Sequence, residues 1–285
     1  MNSQAVRDQQ RTEWTLCAGA WREYRANFVE PSRPITEAML RLADPRPGDR
    51  VLDLACGVGN PAFDIARRVG GDGHVLGLDL VEAMVDGARA VAVELGLGNV
   101  EFRTVPDETT LGVPPGSFDA ATCRAGLQYM PDRAGAMAAV LDALRPGGRF
   151  VAMTLGAAER CMPFRLTNAI VSRHVPLPEK GPEDDSGPVG LSSLKELAHL
   201  FTEAGFVDLR TEVFEAPIFE AADPAAAWEF FARTAGPFIP LLTSLPERTR
   251  QAIHDDAVRT FGAAFPDGPV RPTGEVLVVC GRRPD

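Results

Sequence analysis

Two glycines, Gly57 and Gly59, lie in the run VLDLACGVGNPA (51–62) just after Asp53, and Asp79 follows Gly59 by 20 residues. An apolar strand, a glycine turn and a helix start, in that order, suit a nucleotide-like ligand. Residues without a Cβ let the backbone turn tightly and approach what it binds. The second half, GVGNPA, fits the G-x-G-x-x-A dinucleotide fingerprint. A carboxylate at Asp79 suits the two hydroxyls of a ribose, which several cofactors share, so it does not discriminate among them.

Three further features do. Pro61 opens the following helix, with Asn60 placed to cap it. A pyrophosphate is held by free N–H groups at that helix end, and proline supplies one fewer. S-adenosyl-L-methionine has no phosphate and loses nothing there. Asp53, inside the strand, suits the ammonium and sulfonium of that cofactor better than a pyrophosphate. A downstream set, VPDET (105–109), FDAATCR (118–124) and LRPGGRF (144–150), has no place in the dinucleotide reading.

The elements that must position these residues alternate regularly. Strands are predicted at 51–55, 74–80, 100–105, 118–124 and 149–155, with helices at 61–69, 81–95 and 133–144 between them. Strands separated by amphipathic helices give a parallel sheet covered on both faces, an α/β fold. Before this core, residues 5–28 read as one helix. Trp14, Cys17, Trp21, Tyr24 and Phe28 form its apolar stripe, and a short helix spans 34–42. After residue 156 the pattern breaks into a short helix at 161–175 and a Pro/Gly/acid-rich loop at 176–190, whose EDD (183–185) reads as solvated. A helix at 192–204, a strand at 206–214, helices from Asp223-Pro224 and over 246–261, and a last strand at 275–282 follow. The organisation is therefore a lid helix at 1–30, a core at 31–156 resumed at 191–214 and 275–285, and cap insertions at 157–190 and 215–274.

At 285 residues the chain can bury one good core. Its net charge of −10 argues against nucleic-acid or anionic-membrane partners, which need basic surface. The polar start, the lack of an apolar run of ~18 residues and five scattered cysteines without a C-x-x-C pair point to a cytoplasmic chain with no zinc or disulfide framework. No metal-ligand constellation can be assembled from spacing, and a homodimer is left open.

Together, VLDLACGVG, GLDLVEAM, FDAATCRAGLQYMPD and LRPGGRFVAM resemble the class I S-adenosylmethionine-dependent methyltransferases, near the ubiquinone/menaquinone-type ("type 11") branch and its natural-product members. The resemblance covers residues 49–155. It implies a Rossmann-like sheet of seven strands, mostly parallel with the last antiparallel, under a helical cap. It also implies S-adenosyl-L-methionine as cofactor and small-molecule acceptors. Residue by residue, the turn from Ala55 through Gly57 to Gly59 resembles the segment whose backbone meets the methionine part. Asp79 matches the ribose acid and Leu80 the apolar residue beside the adenine. Asp107 resembles the acid that takes the adenine amino group, but Pro106 is an extra residue before it, so Glu108 is an equal candidate. Arg124 matches the segment beside the methionine and the reaction centre. Ala55 stands where many members have glycine. LRPGGRF marks the family but reads as a structural turn.

Methyl transfer needs an in-line nucleophile, and a base only when the acceptor is a poor nucleophile while protonated. His174, which follows Leu166 and Ile170 at intervals of four, is the candidate base; Tyr24 and Tyr129 are the other catalytic candidates, and Trp21 and Gln128 candidate substrate contacts. The reading is transfer to a hydroxyl of a secondary metabolite. N- or C-methylation, a cofactor-binding relative without methyl transfer, and more remotely an NAD-dependent oxidoreductase are the alternatives. The Asn/Asp-Pro-Pro-aromatic signature of nucleic-acid and protein amide methylators is absent, since the chain reads CRAGLQYM there.

Overall fold

A computed structural model describes residues 3–177, 187–188 and 190–285; the acidic run 183–185 lies outside them. Three helices come first: α1 (Ser3–Glu23), α2 (Arg25–Val29) and α3 (Arg33–Ala43). The alternating core follows as β1 (Arg50–Leu54), α4 (Ala62–Val69), β2 (His74–Asp79), α5 (Glu82–Glu94), β3 (Val100–Thr104), β4 (Phe118–Arg124), α6 (Arg133–Ala143) and β5 (Leu144–Leu155). Then come α7 (Met162–Ser172), α8 (Leu194–Glu203), β6 (Val207–Pro217), α9 (Pro224–Thr234), α10 (Ile239–Ser244), α11 (Glu247–Ala264) and β7 (Thr273–Arg282).

The seven strands form one sheet in the order β3-β2-β1-β4-β5-β7-β6. β1 pairs in parallel with β2 and with β4, and β4 with β5, whereas β7 runs antiparallel between β5 and β6. Successive side chains of β1 point to opposite faces. Leu52 and Leu54 pack with Met137, Val140, Leu197 and Phe201 of α6 and α8. Val51, on the other face, packs with Phe63, Ile65 and Val85 of α4 and α5. α3 covers that same side further along, with Ile35 and Met39 against Val151, Met153, Val276 and Val278. A fourth apolar cluster joins α1, α7, α9 and α11 above the carboxyl ends of the strands, and this is the cap.

The first helix is not continuous. It ends at Glu23 and restarts at Arg25, with Tyr24 between the two segments. Asn60 does not cap α4: Pro61 occupies that position and no side chain caps the helix. The Asp223-Pro224 start is seen as expected, Asp223 accepting from the Ala226 amide at 2.8 Å. LRPGGRF forms the beginning of β5. Its register jumps from Phe118↔Leu144 to Ala120↔Arg149, so Pro146-Gly147-Gly148 bulges out of the ladder.

The two turn glycines have different reasons. Gly57, at φ +52°, has open space where a Cβ would stand, whereas a Cβ on Gly59, at φ +97°, would meet the Phe63 ring at 2.2 Å. Gly59 is thus required for packing on α4. Gly59→Ala is expected to lower unfolding free energy by about 2–4 kcal/mol, combining a left-handed alanine with overpacking. Gly57→Ala should cost about 1 kcal/mol. Urea unfolding of the two variants checks this, and equal losses would refute the distinction.

Candidate methyl-donor and acceptor site

The strands deliver their carboxyl ends to one edge of the sheet, and a cavity of about 340 Å³ opens there beneath α1 and the cap. Going from β3 towards β5, its wall holds Val105, Asp107 and Glu108, then Asp79 and Leu80, then Ala55, Gly57 and Asn60, then Arg124, Ala125, Gln128 and Tyr129, and finally Met153 and Leu155. The backbone turns sharply where β1 and β4 end. Ala55 (φ +56°) and Ala125 (φ +53°) both adopt the left-handed conformation, at a cost of about 1–2 kcal/mol each, and both line the cavity. A φ of that sign is why glycine is favoured at position 55. Gly126 fits between them because a Cβ there would lie 2.5 Å from that of Ala55.

Asp79 is anchored by two amides. Gly57 N–H donates to Oδ2 at 2.8 Å and Val81 N–H to Oδ1 at 3.0 Å. Burial raises its pKa, and these amides oppose the rise. Each oxygen keeps a lone pair for a ligand. Asp107 uses Oδ1 to accept from Thr109 N (2.9 Å), Thr109 Oγ1 (2.7 Å) and Thr110 N (2.8 Å). The Thr109 hydroxyl is the main reason its pKa is lowered. Glu108 is spent otherwise. It accepts from Arg7 Nε and Nη2 at 2.8 Å each and from Asp132 N at 2.9 Å, which fastens α1 to the core. The two candidates left open by the sequence thus differ: Asp107 Oδ2 accepts only from Thr110 Oγ1 at 3.4 Å, whereas both oxygens of Glu108 are taken up by Arg7.

Asp53 lies one layer below the cavity, fully buried on the α4 face of β1. The Thr122 hydroxyl donates to its Oδ1 at 2.6 Å, and its Oδ2 has no partner among the described residues. Burial pushes its pKa up to about 7, against the Thr122 hydroxyl. Arg124 reaches from β4 to α3 and its entry, donating to Thr36 Oγ1 at 3.1 Å and Ser32 Oγ at 2.5 Å. Burial lowers its pKa to about 10.

The roof is aromatic. Trp14 and Trp21 of α1, Phe28, and Phe164, Phe219, Phe230, Phe231 and Phe238 from the cap line it. Trp14 packs edge-on against Tyr129 with centroids 5.1 Å apart, and Trp21 Nε1 donates to Thr234 O at 2.9 Å. Tyr129 is enclosed, and burial raises its pKa.

Two catalytic candidates fall elsewhere. His174 does not line the cavity; its Nε2 lies 3.1 Å from Oδ2 of Asp256, which also takes Arg173 Nε at 2.7 Å. That ion pair fastens the end of α7 to α11, so the imidazole is not placed to take a proton from a bound acceptor. Tyr24 also stands outside the lining, edge-on to Phe230 and accepting from Arg233 Nη1 at 2.9 Å. Its position on the stripe between α1 and α9 serves packing. Arg7 and the phenylalanine roof were not singled out by sequence reasoning, and Asn60 was read only as a helix cap. The roof comes from α2, α7, α9 and the loops at 219 and 238, and no local spacing connects those segments.

The residues present fit S-adenosyl-L-methionine. The space above Gly57 admits a ligand, and Asp79 offers two acceptors to a ribose. Both side-chain polar atoms of Asn60 are buried without partners beside the turn, ready for the charged methionine end. Among the described residues no group of three or more His, Cys, Asp or Glu could hold a metal ion. No helix of these residues is long and apolar enough to cross a membrane.

Two expectations follow. Asp79→Ala should weaken S-adenosylhomocysteine binding by about 1–3 kcal/mol in calorimetry; unchanged affinity would remove its ribose role. The Asp53 pKa, raised from 3.8 to about 7, makes its contribution to stability full below the lower value and lost as pH rises through the higher one. Asp53→Asn, which cannot ionise, should therefore gain Tm over the unliganded wild-type chain as pH is raised from about 4 to about 8. A pH-independent difference would sink that assignment.

Comparison with known proteins agrees with this geometry. The methyltransferase domain model matches residues 45–187. A nocamycin O-methyltransferase of Saccharothrix syringae is 42% identical over 126 residues, 44% of this chain and 45% of that protein. A ubiquinone biosynthesis O-methyltransferase of Acinetobacter baylyi is 30% identical over 72% of this chain and 84% of its own length. The chain spans about half the length of several of the curated relatives it matches. Among solved structures, the cyclase SpnF shares the fold with a TM-score of 0.59 at 19% identity, over 100% of this chain and 97% of that one. With its sheet order, its turn at Gly57 and its match to the domain model, the chain belongs to the S-adenosylmethionine-dependent methyltransferase family.

Proposed function

We propose that this chain transfers a methyl group from S-adenosyl-L-methionine to an oxygen of a small natural product. The observation that carries the reading is one continuous cavity with polar groups at the strand ends and an aromatic lining drawn from the N-terminal helices and the cap. Neighbouring strands lie about 4.8 Å apart, so the three intervals from β3 to β4 span about 14 Å. A donor with its adenine at Asp107 and its ribose at Asp79 then has its methionine end at Gly57 and Asn60, and the transferred group near the end of β4. The bound donor supplies an electrophilic methyl on a good leaving group.

The chain's own residues do the rest. Asp79 and Asp107 fix the nucleoside, with Leu80 beside the adenine. Asp53, when ionised, faces the cationic end from below. The phenylalanine and tryptophan roof excludes water and presents flat apolar surface to an acceptor, while Gln128 and Tyr129 give that compartment polar edges. The similarity to a nocamycin O-methyltransferase supports oxygen as the methylated atom and a natural product as acceptor.

The test begins with mass spectrometry of small molecules released by denaturing freshly purified protein. S-adenosylmethionine or S-adenosylhomocysteine should appear. Incubation with methyl-labelled donor and a panel of aromatic natural products should then give a product heavier by one methyl, with one S-adenosylhomocysteine released. Donor binding without label transfer to any acceptor would remove the transfer reading and leave a cofactor-binding relative. Recovery of a nicotinamide compound, with no binding of the methyl donor, would remove the cofactor assignment itself.

A further inference from the structure

Arg124 has no ion-pair partner among the described residues, the carboxylates of Asp53 and Asp64 acting on it only at longer range. Its guanidinium lines the cavity, and its hydrogen-bond partners are the hydroxyls of Ser32 and Thr36. No carboxylate lies within ion-pair distance of it among the described residues, whereas Arg7 in the same wall is neutralised by Glu108. A cation held partly out of bulk water is stabilised by an anion that a ligand brings within contact. The donor's carboxylate has other donors at hand, the unpartnered Asn60 amide and the amino end of α4. Arg124 stands one strand beyond them, on β4, where the donor ends and the acceptor compartment begins.

The described cavity wall also contains no histidine, and its carboxylates lie at the nucleoside end. An acceptor that must lose a proton during transfer would find no base beside Arg124. One that arrives ionised needs none. Buried Gln128, whose Oε1 has no partner among the described residues, lines the same cavity and offers an acceptor for a hydroxyl or N–H elsewhere on the molecule.

We propose that Arg124 recognises an acceptor carrying an acidic oxygen, a carboxylate or an acidic enol already ionised at neutral pH, on a flat apolar body. The inference rests on the methyl-transfer reading and names its substrate class. One acceptor oxygen, or the neighbouring oxygen of an enol acid, is held by the guanidinium. The other uses its lone pair to form the O–CH3 bond as the C–S bond breaks, and that bond's electron pair stays on sulfur. An anion and a sulfonium become two neutral molecules, and no proton has to be removed. Charge cancellation of this kind is favoured in a water-excluded apolar compartment.

The experiment is a binding comparison in protein saturated with S-adenosylhomocysteine, read by quenching of Trp14 and Trp21, which line the cavity. The probes are naphthoate and naphthalenemethanol, matched in shape and differing in charge. Naphthoate should bind about 10- to 100-fold more tightly, the range of a charge-assisted hydrogen-bond pair. Arg124→Met should abolish that preference while S-adenosylhomocysteine affinity, measured by calorimetry, stays within about threefold of wild type. Equal binding of the two probes, or no binding of naphthoate, overturns the proposal. So does an Arg124→Met variant that loses S-adenosylhomocysteine instead, which would make the arginine a cofactor residue. The wild-type comparison needs no variant, so a misfolded Arg124→Met leaves the proposal falsifiable. A preserved preference for naphthoate with no methyl ester formed from labelled donor supports the anion site and counts against the transfer reading alone.

Discussion

The amide of Gly57 donates to the carboxylate of Asp79 across the ends of two neighbouring strands, and the donor half of the site is arranged around that bond. It ties the turn after β1 to the end of β2, so the backbone at Gly57 and the carboxylate of Asp79 keep a fixed separation at the cavity wall. The bond needs a left-handed turn at Ala55 and Gly57 and a carboxylate held in the interior. Both are unfavourable in isolation. The parallel ladder of β1 with β2, in register from Arg50↔His74 to Leu54↔Leu78, is what holds them in place.

The opposite half of the cavity has a different logic. It is defined by apolar surface gathered from α1, α2, α7, α9 and the loops between them, with few directional bonds. Hydrophobic packing of this kind sets shape more than orientation. Arg124 and Gln128 are among the few polar side chains set into that surface. A rigid polar floor under an apolar roof lets relatives keep one donor while the acceptor changes.

That division also explains what was legible in the sequence. The core could be read because each strand and helix carries its own periodicity. Gly57, Asp79 and Arg124 stand at element ends that the spacing marks, and the structure brings them to one wall. Position 55 showed an alanine in place of glycine, but only its positive φ gives the reason for the usual residue. The Asp107/Glu108 ambiguity could not be resolved along the chain, since it depends on Arg7, a hundred residues earlier. His174 failed as a guide for the same cause. Its spacing from Leu166 and Ile170 is real, but it stands just beyond the end of α7, and its partner Asp256 on α11 holds it outside the cavity lining.

The lid helix carries one further consequence, in the order in which the protein assembles. α1 is made before the strands it covers, and its anchors come much later: Glu108 and Tyr129 after β3 and β4, then Thr234 and Arg233 at the end of α9. α5 offers α1 an earlier surface, with Arg22 paired to Glu94, but the helix gains its full set of anchors only when α9 has been made. Contacts of such separation are among the last to form, because loop closure must come first. The open edge of the sheet is therefore exposed on the nascent chain until the cap has been translated.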